Sequence, residues 1–135
     1  MLSYEGTTPL EKAHGAWAGR NLWAAKAFIE EALASELQGE DLARARLTGG
    51  AIYREFGDSA RALDLLQALM EDWDQYLHLR PVWEGYAFYN LALVHYQRRE
   101  YAESVSFNRL ATVEFRRESM WEHLRKALQN LAWSL

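Results

Sequence analysis

Cysteine is absent from all 135 residues, which excludes disulfides, thiolate metal sites and a cysteine nucleophile at once. That fits a reducing compartment without proving one. Proline occurs only twice and glycine eight times, so little interrupts a chain rich in Ala, Leu, Glu and Arg, and helix is favoured nearly throughout. No stretch shows the polar–apolar alternation or the β-branched enrichment of a strand. No apolar run approaches the roughly 20 residues that span a bilayer. The first residues, MLSYEGTTPLEK, carry neither the basic segment nor the apolar segment of a secretion signal. The expected setting is therefore cytoplasmic, with no membrane partner.

Catalytic patterns are missing as well. There is no Gly-rich phosphate loop and no GxSxG nucleophile elbow. The four histidines, His14, His78, His95 and His123, stand far apart, with no HExxH among them. The acidic pairs Glu30-Glu31, Glu40-Asp41 and Glu71-Asp72 are adjacent residues, which diverge by about 100° on a helix and make no dyad by themselves. The chain reads as a non-enzyme, with no cofactor and no metal expected. A strong basic balance is also lacking: the net charge is −4. Residues 1–75 hold 7 basic and 13 acidic side chains, and residues 76–135 hold 8 basic and 6 acidic. Nucleic acid, which wants a concentrated basic face, is not an expected partner. The pairs Arg98-Arg99, Arg116-Arg117 and Arg125-Lys126 read as solvated helix faces or as contacts for an acidic partner.

What is present is helix after helix. Thr8 can cap a first one, with Pro9 at its first position and Glu11 three residues after the cap. It should reach about Gly19. A second runs from Asn21 to Gly39, with Leu22, Ala25, Phe28, Ile29, Ala32 and Leu33 at three- and four-residue steps. A third opens at Glu40-Asp41 and stops at Gly57-Asp58. Ser59 caps a fourth, expected to continue to Arg80, which Pro81 forces extended. Pro81 starts a fifth, to about Gln97; Tyr101 begins a sixth, to about Arg116; Ser119 caps a seventh.

These helices repeat. The turn dipeptides Arg20-Asn21, Gly57-Asp58 and Arg99-Glu100 are each followed four residues later by a small residue, Ala25, Ala62 or Ser104. In the first helices of the units, Gly49-Gly50, Leu91-Ala92 and Leu131-Ala132 occupy equivalent places. The offsets between copies are 37, 42 and 40 residues. On these residues the chain resembles the tetratricopeptide repeat, with GAIYREFGDSARALDLLQALM and FYNLALVHYQRREYAESVSFNRLA as its best copies. The resemblance implies an all-α solenoid of antiparallel helical hairpins in one domain, residues 1–135. Hairpins span about 8–38, 41–79 and 81–116, and a terminal helix spans about 119–135. The offsets exceed the family's unit of about 34 residues, so helices are expected to overrun, as in the tetratricopeptide-like sensor domains of bacterial regulators. His95 and Asn108 depart from the family's apolar pattern and face each other across a hairpin, where either a mutual hydrogen bond or access to water would satisfy them. Gly50 is expected to pack closely on Ala62, and Gly49 to be tolerated or to leave room.

In this family the first helix of each hairpin lines a concave face that binds protein or peptide segments. By alignment that face carries Trp17, Arg54, Tyr86, Tyr89, Asn90, Tyr96, Lys126, Asn130 and Trp133, with His14, Leu47 and Leu93 beside them. Asn90 and Asn130 share a repeat position, and the family's peptide receptors use such asparagines to hold a peptide main chain; a carboxamide can both donate and accept. The tyrosines and Trp133 are residue types enriched at hot spots. Most of the six tryptophans should pack between helices, with Trp73 the most exposed. The seventh helix offers Leu124, Leu128, Leu131, Trp133 and Leu135. That face either packs back on the sixth helix or is completed by another chain, a homodimer through the C-terminal helix being one form. The first expectation is a non-catalytic, regulatory peptide-binding scaffold, and the second an assembly module using its terminal helices.

Overall fold

Four corners of the chain share one backbone conformation. Arg20, Gly57, Arg99 and Ser119 all have positive φ, between 54° and 75°. In each, the residue after the corner donates its N–H to a carbonyl five positions back: Asn21 to Ala16, Asp58 to Tyr53, Glu100 to His95 and Met120 to Phe115. The corner residue itself donates three positions back, which completes a Schellman motif. This motif ends one helix and reverses the chain within two residues. The next helix then starts from the same place, because Asn21 and Asp58 accept N–H bonds from Ala24 and Arg61 with their side chains.

The structure is a computed structural model describing residues 8–75 and 81–135, and the side chains of Pro81 and Val82 are outside it. The described residues form seven α-helices: α1 (Pro9–Ala18), α2 (Leu22–Ala34), α3 (Gly39–Glu55), α4 (Ser59–Glu71), α5 (Pro81–Gln97), α6 (Tyr101–Arg117) and α7 (Trp121–Ser134). No strand occurs among them. Neighbours pack as hairpins α1–α2, α3–α4 and α5–α6, with α7 against α6. The odd-numbered helices also touch in series, α1 to α3, α3 to α5 and α5 to α7. The chain is thus an all-helical stack, as its repeat pattern implies. No described helix is long and apolar enough to cross a membrane.

The small residues of the repeat sit where helices come closest. Ala25, Ala62, Ala92 and Ser104 are all 0% exposed, and Ser104 donates to the Ala92 carbonyl at 2.9 Å. Gly50 packs most closely against Leu66: a Cβ there would lie 2.6 Å from Leu66 Cγ. Gly49 is equally enclosed, 2.8 Å from Leu65 Cδ1, so it is a packing residue and leaves no room for a ligand.

Several expectations fail for definable reasons. Helix α2 ends at Ala34, short of Gly39, where the Ser35 hydroxyl bonds the Ala32 carbonyl and the backbone turns extended. Helix α4 ends at Glu71, not near Arg80. Arg46 reaches across from α3 to the Ala68 carbonyl and to the Asp72 carboxylate at 2.7 Å, holding the end of the helix. The following 3-10 turn, Trp73–Gln75, carries Trp73 into a cluster with Ala43, Leu69, Trp83 and Ala87. Trp73 is therefore buried, and Trp23, Trp121 and Trp133 are the exposed tryptophans. His78 and the expected end of the second hairpin lie outside the described residues. Asp58 rather than Ser59 caps α4, and Ser119 is a corner residue rather than a cap.

The His95–Asn108 bond does not form. His95 stacks flat on Phe107 and donates from Nδ1 to Glu100 at 3.0 Å. Asn108 turns into a polar seam between α6 and α7 instead, 3.5 Å from Ser104 Oγ, which lies 2.9 Å from Ser134 Oγ. Asn130 is 1% exposed, and neither of its amide atoms has a hydrogen-bond partner among the described residues. A buried polar group left unpaired costs about 1–3 kcal/mol. Asn130→Leu should therefore raise the unfolding free energy by about that amount. A urea midpoint moved upward at unchanged slope is the check.

Candidate binding groove

The row of odd-numbered helices encloses one groove of about 790 Å3. Its walls are helical stripes. Helix α3 supplies Glu40, Arg44, Leu47, Ala51 and Arg54 at steps of four and three, so that one face of it looks inward. Helix α5 supplies Trp83, Tyr86, Asn90 and Leu93 by the same rule, with Tyr89 beside them. Helix α1 adds His14 and Trp17, and α7 adds His123 and Lys126. Volume and mixed lining are those of a ligand-sized site.

Six of the nine residues expected from the sequence meet here: Trp17, Arg54, Tyr86, Tyr89, Asn90 and Lys126. Three do not. Tyr96 is half-buried near the α5–α6 corner, edge-on to Tyr101. Trp133 is 61% exposed and outside the groove lining. Asn130 follows the α7 stripe in spacing but is covered completely. A paired asparagine ladder is thus not built. Asn90 is itself engaged: its Oδ1 accepts from Arg54 Nε at 3.0 Å, and its Nδ2 donates to the Tyr86 carbonyl at 2.9 Å. Its task is to fix the Arg54 guanidinium across the α3–α5 contact, which Gln97 reinforces by donating to the Arg54 carbonyl.

Arg54 is the most enclosed cation of the site. Burial pushes its guanidinium down from the ordinary value, against the pull of Glu55 at 3.5 Å. Glu55 also meets Arg20 at 3.5 Å. Tyr86 and Tyr89 are held up by burial, Tyr89 with Arg54 opposing. Both rings lean on Phe115 of α6, at 5.7 and 6.3 Å between centroids, and His123 closes against Tyr86 at 5.1 Å. The Trp17 indole N–H is buried without a partner among the described residues.

Arg20, Glu40, Arg44, Glu55, Trp83 and His123 belong to the groove but were not expected there. For Arg44 and Trp83 the signal was available, since they lie on the three- and four-residue steps that run through Leu47 and Asn90.

His14 and His123 have depressed pKa values, in both cases first from burial; Arg44 adds to it at His14 and Lys126 at His123, where Glu122 opposes. Their unfolded values are near 6.5, so below about that pH the unfolded chain takes up protons first. Stability from this source is full above that range and falls as pH drops toward the folded values. The melting temperature should decline from pH 7.5 to 5.5, and His14→Gln with His123→Gln should flatten that decline.

A second cleft, of about 500 Å3, lies mostly on α2 and α4, where Arg61 donates to the Tyr53 hydroxyl at 3.1 Å and pairs with Glu30. No group of three metal-ligating His, Cys, Asp or Glu side chains occurs among the described residues. No family model matches the chain, and no curated protein or solved structure matches it.

Proposed function

We propose that the chain is a tetratricopeptide-like binding module that holds a protein or peptide segment in the groove of α1, α3, α5 and α7 without catalysing a reaction, and serves a regulatory or sensing role. The observation that carries this reading is the groove wall itself. It combines large aromatic area on Tyr86, Tyr89 and Trp83 with a guanidinium already oriented by Asn90. Aromatic and Arg residues in one concave patch are the composition of binding hot spots, and a pre-fixed Arg54 loses little freedom when a ligand arrives.

A second reading has its own support. Trp121 and Leu128 of α7, and Leu135 just past its end, are exposed at 63, 43 and 79% and recur every seven residues. On α6, Leu110 and Val113 are exposed as well. An assembly module would use these, by pairing with a second copy or another chain.

Two variants separate the readings. Leu93→Asn changes the groove and Leu128→Asp changes the α7 face. A co-purifying partner lost with the first and kept with the second supports the groove. Loss with Leu128→Asp alone, or a sedimenting dimer that only this variant dissolves, overturns the groove in favour of assembly.

A further inference from the structure

The groove differs in sign from the protein around it. Its charged lining consists of Arg20, Arg44, Arg54 and Lys126 against Glu40 and Glu55, a surplus of two positive charges. The whole chain carries −4, so the remainder carries −6. The cations are also unequally engaged. Glu55 is shared by Arg20 and Arg54. Arg44 and Lys126 have no ion pair or hydrogen bond among the described residues. One projects from α3 and the other from α7, the two helices that flank α5. Between them lie Tyr86, Tyr89 and Leu93.

Resting on the groove reading above, we infer that the occupant is an acidic segment of another protein, whose side-chain carboxylates pair with Arg44 and Lys126 while its apolar side chains lie on Tyr86, Tyr89 and Leu93. Packed helix axes stand about 8–10 Å apart, which puts α3 and α7 about 16–20 Å from each other. An extended segment of about five or six residues, at roughly 3.3 Å each, covers that span and can offer a carboxylate to each cation. A short acidic segment meets only the groove. A nucleic acid is a longer polyanion and would also face the −6 of the surrounding surface, which opposes phosphate binding. Steering by the local positive field sets the orientation and speeds the encounter.

The test uses fluorescent peptides of about ten residues, acetylated and amidated so that only side chains carry charge. One alternates Glu and Leu, one Gln and Leu, one Lys and Leu; an oligothymidylate is the fourth probe. Fluorescence anisotropy with the full chain should show the Glu peptide bound about tenfold more tightly than the Gln peptide. Salt should erode that preference. Arg44→Gln with Lys126→Gln should abolish it while leaving the melting temperature near pH 7.5 unchanged. Equal binding of the Glu and Gln peptides overturns the acidic preference and leaves the groove standing. Binding of neither overturns both. Preference for the Lys peptide or the oligothymidylate overturns the proposal, as does self-association that the double variant dissolves, which would make a second copy the occupant.

Discussion

Phe115→Ala should lower the unfolding free energy by about 3–5 kcal/mol, the range for removing a large core aromatic ring. Phe115 is 0% exposed and is among the largest fully buried side chains of the protein. It anchors the cluster with Ala111, Leu124 and Ala127 that fastens α7 to the stack. Gly85 on α5 is shaped around it: a Cβ there would stand 2.9 Å from the ring. The cavity left by Ala cannot be refilled from that side, because Gly85 has no side chain to offer. The loss extends to the groove. Tyr86, Tyr89 and His123 all rest on this ring, with centroids 5.7, 6.3 and 5.5 Å away. Ligand affinity should fall even in conditions where the variant remains folded. Urea unfolding checks the first effect and peptide titration at low temperature the second; a loss below about 1 kcal/mol would mean the site collapses without a cavity.

Gly50 gives the second large effect, through its coupling to Leu66. In an exposed helix Gly→Ala gains about 1 kcal/mol. Here the new methyl would lie 2.6 Å from Leu66 Cγ and 2.7 Å from its Cδ2. Leu66 is 0% exposed, and its branch point cannot swing away as a chain end would. Overpacking of this kind costs about 1–3 kcal/mol, so Gly50→Ala should destabilise by up to about 2 kcal/mol net. Leu66→Ala alone should cost about 2–5 kcal/mol. In the Leu66→Ala background the same Gly50→Ala change should stabilise, because the methyl enters the vacated space. A double-mutant cycle should return a coupling of about 1–3 kcal/mol. Simple additivity would show that the two residues are not in contact.

The fold was legible because its rules are local. Thr8 and Asn21 cap helices by bonds to an N–H three residues on, and the repeated turn dipeptides at 20–21, 57–58 and 99–100 each place a left-handed residue first. Buried Ala25, Ala62 and Ser104 mark the same point of three hairpins. What escaped depends on partners distant in sequence. Helix α4 ends early because Arg46, 26 residues before Asp72, holds that end, and nothing near Trp73 announces it. Asn90 spends one acceptor on Arg54, 36 residues away, a partner that its repeat position does not announce. Asn130 shares the repeat position of Asn90 but is buried, so equivalence in sequence did not carry equivalence in exposure. The groove was legible as a face of each odd helix, and its charge was not, because Arg44 and Lys126 gain meaning only when α3 and α7 flank α5.

The groove account rests on one face of the stack meeting a partner, and site-specific photocrosslinking reads that face directly. Benzoylphenylalanine would replace Leu93 in the groove, exposed Gln67 on α4, or Leu128 on the open side of α7. Illumination in cells should give a discrete protein adduct from the Leu93 position and none from the other two. An adduct from Leu128 or Gln67 with none from Leu93 would contradict the account and move the binding face away from the groove.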